Sequence, residues 1–264
     1  MRIPILSLPK VFHVGTLDRD QRHSDGSSSF EGHCLSVSLH PRAWTQIAKL
    51  GGRETFALER SSSPGAFIDY LSIESDPVTL DAVRKTAAKA GYAREVQAWR
   101  AWMTDEDGDW RYMILETEAE AIAEATSCGD GLEDLEAPRG HKPVEAVAHH
   151  RATPALLQRI GFNLDGLDAT PYALMVIADD IWPEVDGMWW LEDFNPSALS
   201  APRGGIFPSR LDAWASRLAK PGEDNQSDEH WSLATGSMDL PDIDSDAASE
   251  SLSPAAPCAR MRAG

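Results

Sequence analysis

Two short stretches near the N-terminus decide how this sequence is interpreted. They are VFHVGT, residues 11–16, and GHCLSVSLHP, residues 32–41. In the first stretch a short apolar run leads into His13, and Gly15 permits close approach to the backbone or an unusual dihedral angle. In the second, apolar residues alternate with Ser36 and Ser38, so a β-strand would place both hydroxyls on one face. The pair predicts two strands that form the wall of a cleft.

The order of these motifs resembles the ADP-ribosyltransferase superfamily, in the branch whose first motif residue is His. An aromatic-His-x-Gly-Thr strand precedes a Gly-x-x-Leu-Ser-x-Ser-x-x-Pro strand. The resemblance implies that NAD is the substrate, that His13 holds the nicotinamide ribose and that the second motif shapes the nicotinamide pocket. Tyr70 is the nearest candidate for the aromatic residue of that second motif. The residues expected to bind NAD are His13, Gly15, Thr16, Ser36, Ser38, Tyr70 and Arg203.

A later block of the chain contains candidates for the acidic residue that the resemblance requires. Two acidic pairs flank an aromatic strand, Glu184 with Asp186 and Glu192 with Asp193. A carboxylate beneath the ribose would stabilise the positive charge that develops as nicotinamide leaves. The Glu184-x-Asp186 pattern loosely resembles the acidic motif of the family, and Glu192 or Asp193 is nearly as good a match. Asp186-Gly187 is also typical of an ordinary turn.

Arg203 lies in a Pro-Arg-Gly-Gly turn at 202–205. Backbone donors in a glycine-rich turn and a guanidinium fork together suit a diphosphate, although such a turn is also typical of a solvated loop. We therefore include Arg203 among the residues expected to bind NAD.

Composition limits the classes of partner. The chain has 264 residues and a formal net charge of -18, which argues against binding nucleic acid through its phosphates.

The three cysteines, Cys34, Cys128 and Cys258, form no C-x-x-C pair, and His149 and His150 would point to opposite faces of a strand. We expect no disulfide framework and no metal. Without a signal peptide or an apolar span, the sequence predicts a cytoplasmic protein that does not contact membranes.

The predicted elements indicate an α+β fold with a split, mainly antiparallel sheet and surrounding helices, because strands and helices do not alternate regularly. Strands are predicted at 11–14, 34–39, 54–59, 66–73, 96–103, 110–115, 144–148 and 187–191. Capping signals predict helices that begin after Asp76, Thr117, Thr153 and Thr170, and apolar spacing predicts a last helix over Ser209–Leu218. Residues 1–220 are expected to form one domain, and residues 221–264 an acidic, disordered and dispensable tail.

These observations lead to an NAD-dependent ADP-ribosyltransferase as the favoured function. The enzyme would cleave the nicotinamide–ribose bond and pass ADP-ribose to a macromolecular acceptor, expected to be a protein, or to water as a glycohydrolase. The acidic composition keeps open a non-enzymatic protein that binds and inhibits a basic partner. A hydrolase that pairs His13 with a carboxylate is the third possibility. The sequence contains no Rossmann glycine fingerprint and no Walker loop, which argues against dehydrogenases and nucleoside triphosphatases.

Overall fold

The computed structural model describes residues 2–17, 30–31, 33–41, 45, 51–104, 108, 110–127, 135–164, 166–191, 203–223 and 236–239. The strands are β1 (Arg2–Leu8), β2 (Lys10–Val14), β3 (Phe30–Glu31), β4 (Cys34–Ser38), β5 (Thr55–Arg60), β6 (Gly65–Asp69), β7 (Ala93–Thr104), β8 (Trp110–Leu115), β9 (Val144–Ala152), β10 (Gly187–Leu191), β11 (Arg203–Ile206), β12 (Trp214–Leu218) and β13 (Gly236–Asp239). The helices are α1 (Tyr70–Ser75), α2 (Pro77–Lys89), α3 (Glu118–Ala125), α4 (Pro154–Ile160) and α5 (Thr170–Ile181), with a 3₁₀ helix at Pro208–Ala213.

The described strands form two sheets. The larger sheet has the order β12-β5-β2-β4-β11-β10-β6-β1-β13, with β3 paired to β4, and the smaller sheet has the order β8-β7-β9. Strands β10 and β6 run parallel, whereas the other neighbours in both sheets pair in antiparallel fashion. The fold is therefore mixed, with a large, mainly antiparallel sheet and several helices, as the α+β expectation requires.

The larger sheet closes on itself. Only Pro9 separates β1 from β2, so these two strands are successive parts of one bent strand. The hydrogen-bonded path from β2 through β4, β11, β10 and β6 returns to β1 and completes a ring. The inside of the ring is apolar, and its buried residues include Leu6, Val11, Leu35, Val37, Trp189 and Ile206. Closure of this kind pairs strands that would otherwise be edges.

Helices cover part of the outside of the ring. Ile3, Ile68 and Met188 face outward from β1, β6 and β10, and they pack against Leu174 and Met175 of α5 in a second buried cluster. The small sheet is covered on one face by α3, whose Ala121 and Ala125 contact Ala101. The other face of the small sheet is turned toward α2 and residues 166–168, where it borders the cleft described below.

Several sequence predictions are confirmed. Strands form at or near 11–14, 34–39, 54–59, 96–103, 110–115 and 187–191, and β7 and β8 form an antiparallel hairpin. Asp76 caps α2 through the backbone N–H groups of Val78 and Thr79. Thr117 and Glu120 form the predicted capping box of α3, and Thr153 caps α4.

Other predictions are wrong. The strand predicted over 66–73 ends at Asp69, because the Asp69 carboxylate accepts hydrogen bonds from Ser72 and caps α1. The helix predicted over Ser209–Leu218 is instead a 3₁₀ turn followed by β12, which pairs with β5. Thr170 is the first residue of α5 rather than its cap. The strand at 144–148 extends to Ala152, and β1 was not predicted.

The prediction of a wholly disordered tail from residue 221 is also wrong. Glu223 accepts hydrogen bonds from Arg217 and from the backbone N–H of Lys220. Strand β13 pairs with β1, with Ile3 opposite Met238. Both contacts tie parts of this segment to the folded domain. The rest of the segment, 224–235 and 240–264, lies outside the described residues. The polar composition of 18–29 also predicts a loop, and Pro41 predicts the start of a short helix through Ala48; the loop and most of that helix lie outside the described residues as well.

Candidate functional site

His13 is a buried residue held by backbone carbonyls. The side chain is 2% exposed. Its Nδ1 lies 2.8 Å from the carbonyl oxygen of Ser36, and its Nε2 lies 3.3 Å from that of Thr16. Burial lowers the pKa of His13, and the two carbonyl contacts oppose this shift. A neutral ring has one N–H, and the shorter distance assigns it to Nδ1 and the Ser36 carbonyl.

Gly15 explains how the Thr16 carbonyl reaches this ring. Gly15 has a φ of +130°, a conformation that other residues rarely adopt, and its N–H donates to the carbonyl of Glu54 at 2.9 Å. The chain therefore turns over the edge of His13 immediately after β2. The side chain of Thr16 is exposed beyond this turn.

The two predicted motif strands are neighbours, but their polar side chains lie on different faces. Strand β2 pairs with β4, with Phe12 opposite Ser38. Since opposite residues in an antiparallel pair point to the same face, Ser36 and Ser38 share a face with Phe12, and His13 shares the inner face with Val37. Ser38 is buried and its Oγ accepts from the backbone N–H of His40 at 3.0 Å, whereas Ser36 is half-buried. His13 and the two serines therefore do not line one face of a cleft.

Asp186 is a structural carboxylate at the point where the ring closes. It is 1% exposed, and it accepts hydrogen bonds from Arg60 Nη1 at 2.7 Å, from the backbone N–H of Ala66 at 2.9 Å and from Trp214 Nε1 at 3.3 Å. His13 is opposite Phe56 on β5, four residues before Arg60. At about 3.3 Å per residue, the two sites are separated by ~13 Å along the strand. Asp186 therefore does not share a site with His13, because its oxygens bind Arg60, Ala66 and Trp214 at a different level of the sheet.

The remaining predicted carboxylates divide into two groups. Glu184 is exposed and lies in the turn that leads into Asp186, at the same end of the sheet. Glu192 and Asp193 lie outside the described residues. The last described residue before them, Leu191, pairs with Arg203, and Arg203 pairs with Ser38. The C-terminal end of β10 therefore lies in the same row of the sheet as Ser38 of the second motif.

Tyr70 and Arg203 occupy separate places. Tyr70 begins α1, is 5% exposed and has a pKa raised mainly by burial and also by the charges of Asp168 and Glu74. Tyr70 therefore lies near the charged side chains of α1, α2 and residue 168, and away from β2. Arg203 begins β11 beside Ser38.

Two clefts lined by described residues bear on the candidate site. One, of about 380 Å³, lies beside the turn at Gly15 and is bordered by Glu54, Thr55 and Lys220. The other, of about 510 Å³, lies against the small sheet and is bordered by Arg84, Arg100, Tyr112, His149 and Asp168. None of the residues predicted to bind NAD borders either cleft.

The larger cleft was missed by the sequence interpretation. Its charged groups come from α2, from β7 and from the turn before α5, so no local motif joins them. The available signal was the alternation in β7, which places Arg100 and Trp102 on one face. Arg100 lies opposite Glu145 of β9, and His149 lies opposite Val96, which is on the same face of β7 as Arg100. The His149-His150 pair was considered only as a metal site, and the position of His149 in the cleft depends on the pairing of β7 with β9.

Hydrogen bonds and ring contacts order the polar wall of this cleft. Arg84 Nη2 donates to Asp168 at 2.9 Å, and Arg100 Nη1 donates to Glu145 at 3.3 Å. The Arg100 guanidinium lies 4.8 Å from the centre of the Tyr112 ring. Burial raises the pKa of Asp168, but hydrogen bonds from Thr170 and Arg84 outweigh it and leave the pKa below its ordinary value. The carboxylates therefore remain charged beside the two guanidiniums at neutral pH.

No protein-family model, curated protein or solved structure matches this chain. Within the described ranges, no helix has the length and hydropathy needed to span a bilayer. In the same ranges, no group of three or more His, Cys, Asp or Glu side chains is arranged to hold a metal ion.

Proposed function

We propose that this protein is an NAD-dependent ADP-ribosyltransferase, which cleaves the nicotinamide–ribose bond and transfers ADP-ribose to a protein acceptor. One observation carries the proposal. The two segments that resemble the motifs of the superfamily are neighbouring strands, and the His13 ring joins them through the 2.8 Å contact with the Ser36 carbonyl. A site built from both segments requires this adjacency.

The burial of His13 changes the role that we assign to it. A ring that is 2% exposed, with both nitrogens against carbonyl oxygens, positions the backbone of the two motifs rather than touching a ribose directly. The exposed Thr16 and the half-buried Ser36 are the side chains available to meet the substrate from these segments. Replacement of His13 is accordingly expected to disturb the fold, contrary to the expectation for a side chain that faces a cleft.

The proposal also requires a carboxylate near the reacting carbon. Asp186 is excluded by its hydrogen bonds to Arg60, Ala66 and Trp214, and Glu184 lies at the same end of the sheet as Asp186. Glu192 and Asp193 follow Leu191, which is joined to Ser38 through Arg203. We therefore assign the acidic role to this pair, where a carboxylate would stabilise the transition state more than bound NAD.

Incubation with NAD labelled in the nicotinamide ring and, separately, in the adenylate tests this function. The full-length chain is expected to release nicotinamide and to label a mixture of acidic and basic acceptor proteins. A Glu192→Gln, Asp193→Asn double variant is expected to lose at least 100-fold in nicotinamide release, which corresponds to about 2.7 kcal/mol of transition-state stabilisation. Ser75→Ala, a change at an exposed hydroxyl of α1, serves as the matched control and should retain full activity.

Two outcomes contradict the proposal: absence of nicotinamide release by the unmodified chain across the acceptor mixture, or full activity of the double variant. Tight binding to a basic protein without any release of nicotinamide would favour the acidic inhibitor instead, because a net charge of -18 attracts such a partner.

A further inference from the structure

The larger cleft is built from three parts of the chain. Arg84 extends from α2, Arg100 and Tyr112 come from the paired strands β7 and β8, and His149 comes from β9. Its volume of about 510 Å³ is within the range typical of sites for small organic molecules. It shares no residue with the strand pair on which the proposed transferase function depends.

Three residues that border this cleft have a buried nitrogen atom without a hydrogen-bond partner. Among the described residues, Arg84 Nε, Arg100 Nε and His149 Nε2 are buried and make no hydrogen bond. His149 is only 5% exposed, and its other ring nitrogen bonds the carbonyl of Leu167, so the neutral ring presents Nε2 as an acceptor. Buried polar atoms are normally paired, and a small shift of these side chains on binding would let a ligand supply the absent partners.

The two guanidiniums retain capacity for an anion. Each uses one terminal nitrogen for a carboxylate, Arg84 with Asp168 and Arg100 with Glu145, whereas a guanidinium carries five N–H groups. Phosphate oxygens match the fork of such N–H groups well. The net charge of the chain is -18, so an anion is not drawn in by the overall field, and its binding must depend on direct contact with these two side chains.

An aromatic wall stands beside the guanidiniums. Tyr112 is 54% exposed and lies over Arg100, while Trp102 contacts Tyr112 with ring centres 5.1 Å apart and donates from Nε1 to Glu145. These contacts fix the Tyr112 ring next to the cationic groups and leave more than half of it accessible. An exposed ring of this kind offers a stacking surface for a planar group.

We propose that this cleft binds a phosphomonoester of a planar heteroaromatic group, of mononucleotide size. The phosphate contacts Arg84 and Arg100, the planar group stacks on Tyr112, and a hydroxyl of the ligand donates to His149 Nε2. All three parts of the cleft wall thereby contribute contacts: Arg84 from α2, Arg100 and Tyr112 from the paired strands β7 and β8, and His149 from β9.

Titration calorimetry on the full-length chain tests this site with AMP, adenosine and inorganic phosphate as probes. AMP is expected to bind at least tenfold more tightly than either adenosine or phosphate, since it alone engages both the guanidiniums and the ring. Arg84→Gln and Arg100→Gln should each weaken AMP binding at least tenfold, and Arg94→Gln, at an exposed position of β7, should leave it unchanged. Tyr112→Ala should weaken AMP but leave the weak binding of phosphate unaltered.

The exposure of Tyr112 keeps the test decisive even where a guanidinium variant unfolds, because truncation of an exposed ring spares the core. Equal affinity of Tyr112→Ala and the unmodified chain for AMP overturns the proposal, as does the absence of AMP binding by the unmodified chain. AMP binding that persists in Arg84→Gln would locate the nucleotide elsewhere on the molecule and would also overturn it. Nicotinamide release is a separate readout, so failure here leaves the transferase proposal intact.

Discussion

Asp186 and His13 were predicted as site residues, but their burial and hydrogen bonds indicate that both side chains stabilise the fold. Both residue types are common in active sites, and both side chains here are almost fully buried with backbone partners. A carboxylate that accepts from Arg60, Ala66 and Trp214 has both of its oxygens hydrogen-bonded. The sequence could not show this, because the three donors belong to β5, β6 and β12.

The Asp186→Asn substitution tests the structural role. The amide keeps the volume of the carboxylate, but it removes the charge that pairs with Arg60 and places an NH₂ group toward donors. Breaking a buried ion pair in this way is expected to lower the free energy of unfolding by about 3–5 kcal/mol. Urea denaturation measures the change. Glu184→Gln, two residues away and exposed, should alter stability by less than about 0.5 kcal/mol. Equal stability of the Asp186→Asn variant and the unmodified chain would show that the ring does not depend on this contact.

At the scale of the element, sequence signals predicted helix starts better than they predicted strand ends. In Asp76-Pro77 and in Thr153-Pro154 the first residue caps the helix and the proline begins it. Both helices form as expected. The apolar spacing of Leu211, Trp214 and Leu218 indicated a helix, yet pairing with β5 makes residues 214–218 a strand and leaves Leu218 exposed. The conformation of residues 214–218 depends on pairing with β5, which is distant in sequence. The local sequence pattern therefore could not predict it.

The turn predicted to bind a diphosphate illustrates the same limit. Gly204 and Gly205 are residues of β11 rather than of a loop, and they are buried against β10 and β4. A Cβ at Gly204 would lie 2.4 Å from Trp189 Cε3 and 2.5 Å from the carbonyl oxygen of Met188. The glycines therefore allow the closed sheet to hold a tryptophan against its backbone, a packing reason that the sequence interpretation did not consider.

Gly204→Ala is accordingly expected to destabilise the protein. The added methyl group cannot move away from the backbone carbonyl of a paired strand, so we expect a loss of about 2–3 kcal/mol, the upper range for overpacking. Gly51→Ala is the matched control, because a Cβ at Gly51 meets nothing within 4 Å. Thermal unfolding of the two variants side by side measures the difference. A Gly204→Ala protein as stable as the Gly51→Ala protein would mean that β10 and β11 are not packed as described.

At the scale of the whole molecule, the closed ring and the larger cleft were both beyond prediction because each depends on contacts between distant residues. The ring requires β1 and β2 to pair with different strands on the two sides of Pro9. The cleft requires α2, β7 and β9 to meet. The mixed fold class could be predicted, since the number and order of strands are local properties.

The acidity of the chain and its buried histidines act on stability in opposite directions as the pH falls. Burial is the largest cause of a lowered pKa at His13, His149 and His150. A net charge of -18 at pH 7 brings self-repulsion, which protonation relieves. High salt screens the repulsion, so the histidine contribution can be measured by itself in 0.5 M NaCl.

The expected result in high salt is a loss of stability between pH 7.5 and 5.5. In the unfolded chain these histidines take up protons near pH 6.5, whereas in the folded protein their pKa values lie lower, so the unfolded state binds more protons and stability falls as the pH falls. Each histidine contributes at most about 1.4 kcal/mol per pH unit. Asp168 and Asp179 also have lowered pKa values, but their contribution is lost only as the pH falls below about 3.8, outside this window. Urea midpoints at pH 7.5, 6.5 and 5.5 measure the slope, and His149→Gln, which can still donate to the Leu167 carbonyl, should reduce it. A stability that is constant or rises over this range would show that the three rings are accessible to protons in the folded state.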